Sequence, residues 1–355
     1  MHKFKRKLAS FAVPLISILM AFLVGAIIMV VLNANPADAL KYLWMGSLGN
    51  RANIGTTLVR ATPLIFTGLC ACFAYRCGVF NLGGEGQFIM GSIVACWIAT
   101  ASGVTGFTAV ILCLIAGTIA GGLWGMIPGI LKITRGQNEM IISIMLNYVA
   151  TLFMGVIYTN WLRDASVPQT PAVPEAARLS RLFPGMRVTA AFVIAVITGI
   201  IIYYFLFHTS RGFKLRAVGL NMTASEVNGF AVKRYILISF IVSGAIAGLG
   251  GSSELLGTQY RLINGYGAGY GFDGVAMALI GQLHPIATIV VAVFFAALRT
   301  GSTTMQAGTG VPTSVSDIIQ ALVIVFTVAG LALVKLPQFE AFRMRLMSKK
   351  VKEVK

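Results

Sequence analysis

"GVFNLGGEGQF", residues 78–88, interrupts a pattern that otherwise belongs in lipid. It stands between the apolar runs "TPLIFTGLCACFAY" (62–75) and "FIMGSIVACWIAT" (88–100). Irregular backbone at membrane depth persists only where protein or a water-filled cavity takes up its polar groups, so residues 78–86 are expected to face the protein interior. Asn81 reads as the cap of a new helix. Glu85 and Gln87 fall in its first turns, where the helix dipole favours negative charge.

Composition supports the lipid setting. Of the 355 residues 57% are hydrophobic and 11% charged, against about 25% charged in a soluble domain. With a mean hydropathy of +0.83, this is an all-α polytopic membrane protein. The net charge of +17 is gathered in "HKFKRK" (2–7), "TSRGFKLRAVG" (209–219), "VKR" (232–234) and "RMRLMSKKVKEVK" (343–355), at the ends of apolar spans. The positive-inside rule places such clusters in the cytoplasm, which favours a membrane topology over a nucleic-acid face. The N-terminus (1–9), the loop 209–234 and the tail 336–355 are therefore expected to be cytoplasmic. Cys70, Cys72, Cys77, Cys96 and Cys113 lie in apolar stretches without CxxC spacing and read as small packing residues, with neither a disulfide framework nor a metal site.

With about 20 apolar residues per crossing, spans fall near 10–33, 57–76, 86–101, 106–130, 139–160, 188–208, 235–255, 272–283, 285–300 and 315–335. The first is too long for a signal-peptide core. The short 272–283 piece either spans or re-enters. Ten crossings return both termini to one side, within a single transmembrane domain over 1–355. Gly117, Gly121, Gly125 and Gly129, like Gly91, Ala95, Ala99 and Gly103, recur every fourth residue and give a smooth face for close helix packing.

The interruption has an echo. In "GYGFDGVAMALIGQ" (269–282), Phe272-Asp273 repeats Phe80-Asn81 between a glycine-rich lead and an apolar run. Paired broken segments predict two inverted halves around a central pathway. Phe80, Asn81, Glu85, Gln87, Asn147, Tyr148, Phe272 and Asp273 are the candidates to line or brace that pathway. The intramembrane acids also have plainer accounts: Asp317 closes the capping pattern "SVSD" (314–317), Glu139 stands at a helix start, Glu254 and Asp273 are expected to face an outer vestibule, and His284 is expected to be a turn residue before Pro285.

The loop 209–234 carries a second pattern. Thr223-x-x-Glu226 is a capping box and Asn228-Gly229 a stop signal, predicting a helix of little more than one turn between basic flanks. Such a stub is too short to be stable alone and suits a soluble partner.

With these features in place, the chain resembles the permease subunits of bacterial ABC importers for simple sugars and nucleosides. "GVFNLGGEGQFIMG", "RGQNEMIISIMLNYVA", "RAVGLNMTASEVNGFAVKR" and "YGFDGVAMALIGQLHPIATIVVAVFFAALRTGS" are similar to that family's motifs, in the same order, from about residue 57 to 335. The resemblance implies ten or so helices in two inverted halves and a coupling helix docked in a separate ABC ATPase subunit. It further implies a second permease, homologous or identical, and an extracytoplasmic substrate-binding lipoprotein. The coupling role falls on Thr223, Ala224, Ser225, Glu226, Asn228 and Gly229, although "TASEVNGF" departs from the family's alanine-rich form. "FNLGGEGQ" and "NEMIISIMLNY" look like the nucleoside branch, with a ribose-like sugar as the alternative substrate. A proton-coupled secondary transporter would use Glu85, Asp273, Asp317 and His284 as relays but would need no capped stub. The sequence has no HExxH, GxSxG or G-x-x-x-x-G-K-[ST], so no catalytic residue or cofactor is expected, and any ATP is bound by another chain.

Overall fold

The computed structural model describes residues 2–101, 103–104, 106–164 and 167–334. The predicted cytoplasmic tail, 336–355, lies outside the described residues. Thirteen α-helices run in the order α1 (His2–Val31), α2 (Pro36–Leu48), α3 (Arg51–Arg76), α4 (Gly84–Ala101), α5 (Phe107–Arg135), α6 (Glu139–Val156), α7 (Ala190–His208), α8 (Ser210–Leu220), α9 (Met222–Val227), α10 (Val232–Glu254), α11 (Tyr270–Ile280), α12 (Pro285–Thr309) and α13 (Ser314–Val334). Five-residue π-turns, Ile157–Trp161 and Leu255–Gln259, extend α6 and α10.

Among the described residues, eight helical segments are long and apolar enough to cross a membrane. The other two of the ten expected crossings, 86–101 and 272–283, fall on α4 and α11, the helices that follow the two interruptions. Helix α4 carries Glu85 and Gln87 in its first turns and is not among the eight. Helix α11 has 11 residues, roughly 16 Å at about 1.5 Å each, half of a ~30 Å hydrocarbon core. The sequence reading also missed α2 and α8, whose apolar runs are too short to register as spans.

The chain divides into two compact units. In one, built from residues up to Gly46 and from Gly301 onward, α1 packs along α13. The other is Ser47–Thr300, with α3 and α10 at its centre: 83% and 67% of their most apolar windows are buried, against 33% for α5 and 28% each for α6 and α7. Within this unit α4 packs on α10, and α11 on α3. Each interrupted helix thus leans on the long helix that leads into the other, the reciprocal pattern expected of two inverted halves.

The glycine stripe of α5 meets a second stripe on α10 that sequence reading had not singled out. A Cβ on Gly121 would sit 2.6 Å from the Gly248 Cα, and one on Gly248 would sit 2.8 Å from the Gly121 Cα. The two backbones touch with no side chain between them, which only glycine permits. All five cysteines are free and buried, as packing residues should be.

Replacing Gly248 by Val should destabilise the purified chain by about 1–3 kcal/mol, because backbone and not a movable side chain opposes it. Gly155, whose added Cβ would meet nothing nearer than the Tyr158 hydroxyl at 3.9 Å, provides the control. Thermal unfolding in detergent should show a lower midpoint for Gly248→Val and an unchanged or higher one for Gly155→Ala.

Candidate functional site

The interrupted segment is held residue by residue, each tie coming from a different element. Helix α3 ends at Arg76, whose guanidinium donates to the Leu283 carbonyl at 2.7 Å and the Gln282 carbonyl at 3.2 Å. Those two residues form the turn after α11 and have φ of 57° and 53°, a left-handed geometry that Arg76 holds from outside. Gly78 follows with φ of 76°, its Cβ position 3.0 Å from the Gly219 Cα at the end of α8. The Glu139 carboxylate, paired with Lys132 at 2.6 Å, lies within hydrogen-bond reach of the Phe80 amide. The expected helix-start role of Glu139 stands, with this brace added.

Asn81 is 1% exposed and does not cap α4 as expected. Helix α4 starts at Gly84, and the Asn81 Oδ1 accepts from the Gly83 amide at 2.9 Å, closing a turn one step ahead of the helix. Its amide nitrogen donates to Ser243 Oγ on α10 at 2.8 Å and to Gln87 Oε1 at 3.0 Å, while Gln87 Nε2 donates back to Asn81 Oδ1 at 3.1 Å. Capping of α4 falls to a residue of another helix. Asn147 on α6 accepts from the Gly86 amide at 2.8 Å and donates to the Leu82 carbonyl at 2.9 Å, satisfying one of the amide groups that a helix start leaves open.

The two interrupted helices meet at their N-termini. Glu85 Oε2 accepts from the Gly269 amide at 2.9 Å, and a Cβ on Gly271 would sit 2.6 Å from the Glu85 nitrogen. Asp273, in the first turn of α11, pairs with Arg299 at 2.8 Å. The structure therefore gathers Asn81, Glu85, Gln87 and Asn147 around the break and connects it to the segment leading to Asp273. Phe80 is 43% exposed and stacks edge-on against Tyr75, with centroids 4.8 Å apart; Phe272 is 50% exposed. Tyr148 is not part of the cluster. It is 69% exposed, on a stripe of α6 shared with Ile141, Met145, Val149 and Leu152.

Glu254 is 3% exposed and faces no open vestibule. Asp317 lies exposed in the first turn of α13. His284 is the turn residue expected: its carbonyl accepts from the Thr288 amide at 2.9 Å as α12 begins. Burial and the nearby Arg76 charge hold its imidazole below the ordinary range.

In the loop 209–234 the short helix exists as α9 and starts two residues earlier than a Thr223 cap would set. Its cap is Asn221, accepting from the Ala224 amide at 2.9 Å; Thr223 and Glu226 are exposed and form no capping box. Competition between candidates two residues apart accounts for this, because Asn is the stronger N-cap. The stop is as expected: Asn228 Nδ2 donates to the Ala224 carbonyl at 2.7 Å, and Gly229 has φ of 77°. Ahead of it stands α8, capped by Thr209 on the Gly212 amide at 3.0 Å. Leu220 at the end of α8 and Val227 at the end of α9 are 89% and 85% exposed, while Ser225 is buried.

The exposed α8–α9 segment is thus joined to the interior through Gly219 of α8, which lies on the backbone of Arg76, Cys77 and Gly78. Residues 53–328 match the family described as branched-chain amino acid transport system / permease component. The chain is a member of that permease family. The permease is 36% identical over 334 residues to the guanosine ABC transporter permease protein NupP of Bacillus subtilis, spanning 92% of this chain and 96% of the relative. It is 34% identical over 351 residues to the nucleoside ABC transporter permease protein NupB of Lactococcus lactis, spanning 95% and 96%. It is 31% identical over 333 residues to the glucose ABC transporter permease protein TsgB13 of Haloferax volcanii, spanning 90% and 88%. No solved structure matches the chain significantly. The permease is a transport component and not an enzyme.

Replacing Asn81 by Leu leaves Ser243, Gln87 and the Gly83 amide without their shared partner, at a cost of about 1–3 kcal/mol for each orphaned buried group. Thermal unfolding of Asn81→Leu, Ser243→Ala and the double variant should give a non-additive cycle, with a coupling of about 0.5–3 kcal/mol. Strict additivity would show that the pair carries no interaction.

Proposed function

We propose that this permease forms the membrane path of an ATP-driven importer that carries nucleosides into the cytoplasm. The observation that carries the reading is end-to-end similarity to a guanosine permease and a nucleoside permease at 36% and 34% identity, above the 31% shared with a glucose permease. The physical chemistry agrees. The interior around the break offers amides and hydroxyls of Asn81, Gln87, Asn147 and Ser243 beside aromatic rings, which suits a neutral hydrogen-bonding solute. Arg76 and Arg299, two guanidinium groups near it, are already engaged and are not free to act as bidentate clamps for a phosphate or carboxylate.

In this reading α9, with Thr223, Ala224, Ser225, Glu226, Asn228 and Gly229, docks on a separate ABC ATPase, the N-terminus and loop 209–234 being cytoplasmic. Leu220 and Val227 are the anchors of that contact. Docking forces would reach the path through Gly219, which lies on the backbone of Cys77 and Gly78. On the opposite side a substrate-binding lipoprotein meets the loop containing Arg181, Phe183 and Arg187. The exposed α6 stripe with Tyr148 faces lipid or a second permease subunit, homologous or identical.

Leu220→Asp combined with Val227→Asp should leave membrane insertion unchanged and abolish co-purification of the ATPase. Normal association in that double variant would remove the stub from the interface. Cells carrying the chain should take up labelled inosine or guanosine, competed by unlabelled nucleosides and not by ribose, glucose or leucine. Uptake competed by ribose or glucose alone would move the permease to the sugar branch.

A further inference from the structure

Glu254 is the last α-helical residue of α10, immediately before the π-turn Leu255–Gln259. It is 3% exposed, and its Oε2 has no hydrogen-bond partner. The other oxygen meets Gln259 Nε2 at a long 3.5 Å, and Thr258 lies near the carboxyl group. Both neighbours belong to the π-turn itself, so no other helix braces this acid. That separates it from Glu139, which has Lys132, and from Asp273, which has Arg299.

The face of α10 one turn before it meets aromatic side chains of other elements. Gly251 lies one turn earlier on the same face of α10, packed against α4 so tightly that an added Cβ would sit 2.6 Å from Ser92 Oγ. Ser92 donates to the Tyr266 hydroxyl at 3.1 Å, and that hydroxyl donates to the Gly251 carbonyl at 3.0 Å. The Phe88 ring stands 6.0 Å from Tyr266 and 5.7 Å from Tyr270, centroid to centroid. Both tyrosines lie within electrostatic range of Glu254. Tyr270 follows Gly269, the residue whose amide Glu85 holds.

A carboxylate oxygen can only accept, and an unmet one in a dry interior is costly. Acids at membrane depth mark transport paths for this reason, and a structural role in packing would be met as well by an apolar side chain. What the Oε2 atom of Glu254 lacks is a donor. A neutral solute with adjacent hydroxyls supplies donors that a carboxylate can accept together, and the aromatic rings beside it offer faces to a heterocyclic base.

We propose that Glu254 is a substrate contact of the transport path, its free oxygen accepting from the ribose hydroxyls of a nucleoside while the base passes the rings of Phe88, Tyr266 and Tyr270. This rests on the nucleoside reading above. The test is saturation-transfer NMR on the full-length chain in lipid nanodiscs, with the subunits that co-purify, using inosine and 2′,3′-dideoxyinosine. Wild type should saturate the ribose protons of inosine, and the signal should fall roughly five- to ten-fold in Glu254→Leu, the loss of about one hydrogen bond. Glu254→Gln, which keeps the shape and one acceptor, should lie between. 2′,3′-Dideoxyinosine should give the weak signal in all three proteins. Equal inosine signals in wild type and Glu254→Leu, equal signals from the two ligands in wild type, or no inosine signal in wild type would each overturn the assignment. If Glu254→Leu does not assemble, Glu254→Gln decides, an unchanged signal being the overturning result. Inosine uptake by cells carrying the wild-type chain separates the two levels: uptake with a failed NMR result ends this inference alone, and absent uptake ends the nucleoside reading as well.

Discussion

Every backbone amide and carbonyl placed at membrane depth must find a partner inside the protein, and the architecture around residues 77–86 follows from that requirement. Helix α3 stops, the chain runs through Phe80 to Leu82 outside any helix, and α4 begins. The groups released by this break are taken up by side chains from elsewhere: Asn147 of α6 serves Leu82 and Gly86, Glu139 stands by Phe80, and Ser243 of α10 holds the Asn81 that closes the turn. A helix interruption that would be a defect in an isolated span becomes the point where the helices are locked together. Buried polar networks of this kind specify one arrangement because a partly satisfied alternative is worse than an apolar one.

That network needs helices close enough for short side chains such as Asn and Ser to reach across. The opposed glycine stripes of α5 and α10 provide the approach, since their backbones touch at Gly121 and Gly248. Gly125 carries the same effect to the site, its Cβ position being 3.2 Å from Gln87 Nε2. Packing and polar satisfaction are therefore one constraint. Bulk added to the stripe would move α10, and Ser243 with it, away from Asn81.

The same tightness links the exposed stub to the interior. Gly219 at the end of α8 rests on Cys77 and Gly78, and Arg76 grips the turn after α11. Both interrupted helices are thereby tied to the one end of α3 that lies beside the stub. Contacts between backbones transmit displacement with little slack, because packed interiors rearrange between discrete states and do not deform continuously.

The sequence by itself determined that the chain lives in a membrane, where its long helices lie, that two segments are broken, and that a short helix with a glycine stop stands between α8 and α10. These are properties of local composition and of residues within a turn of each other. Tertiary structure decided what each polar side chain does. Asn81 looked like a cap and closes a turn, while Asn147, a helix away, took part of the capping because the α4 start lies against α6. Asn221 displaced Thr223 as the stub's cap, a choice between neighbours that spacing alone left open. Glu254 reads in sequence as an acid at an outer vestibule, and only the packing of the fold around α10 buried it with one oxygen unpartnered. Hydrogen-bond partners in a membrane bundle come from whichever helix is pressed close, and that proximity is set by packing across the fold, which no single stretch of sequence contains.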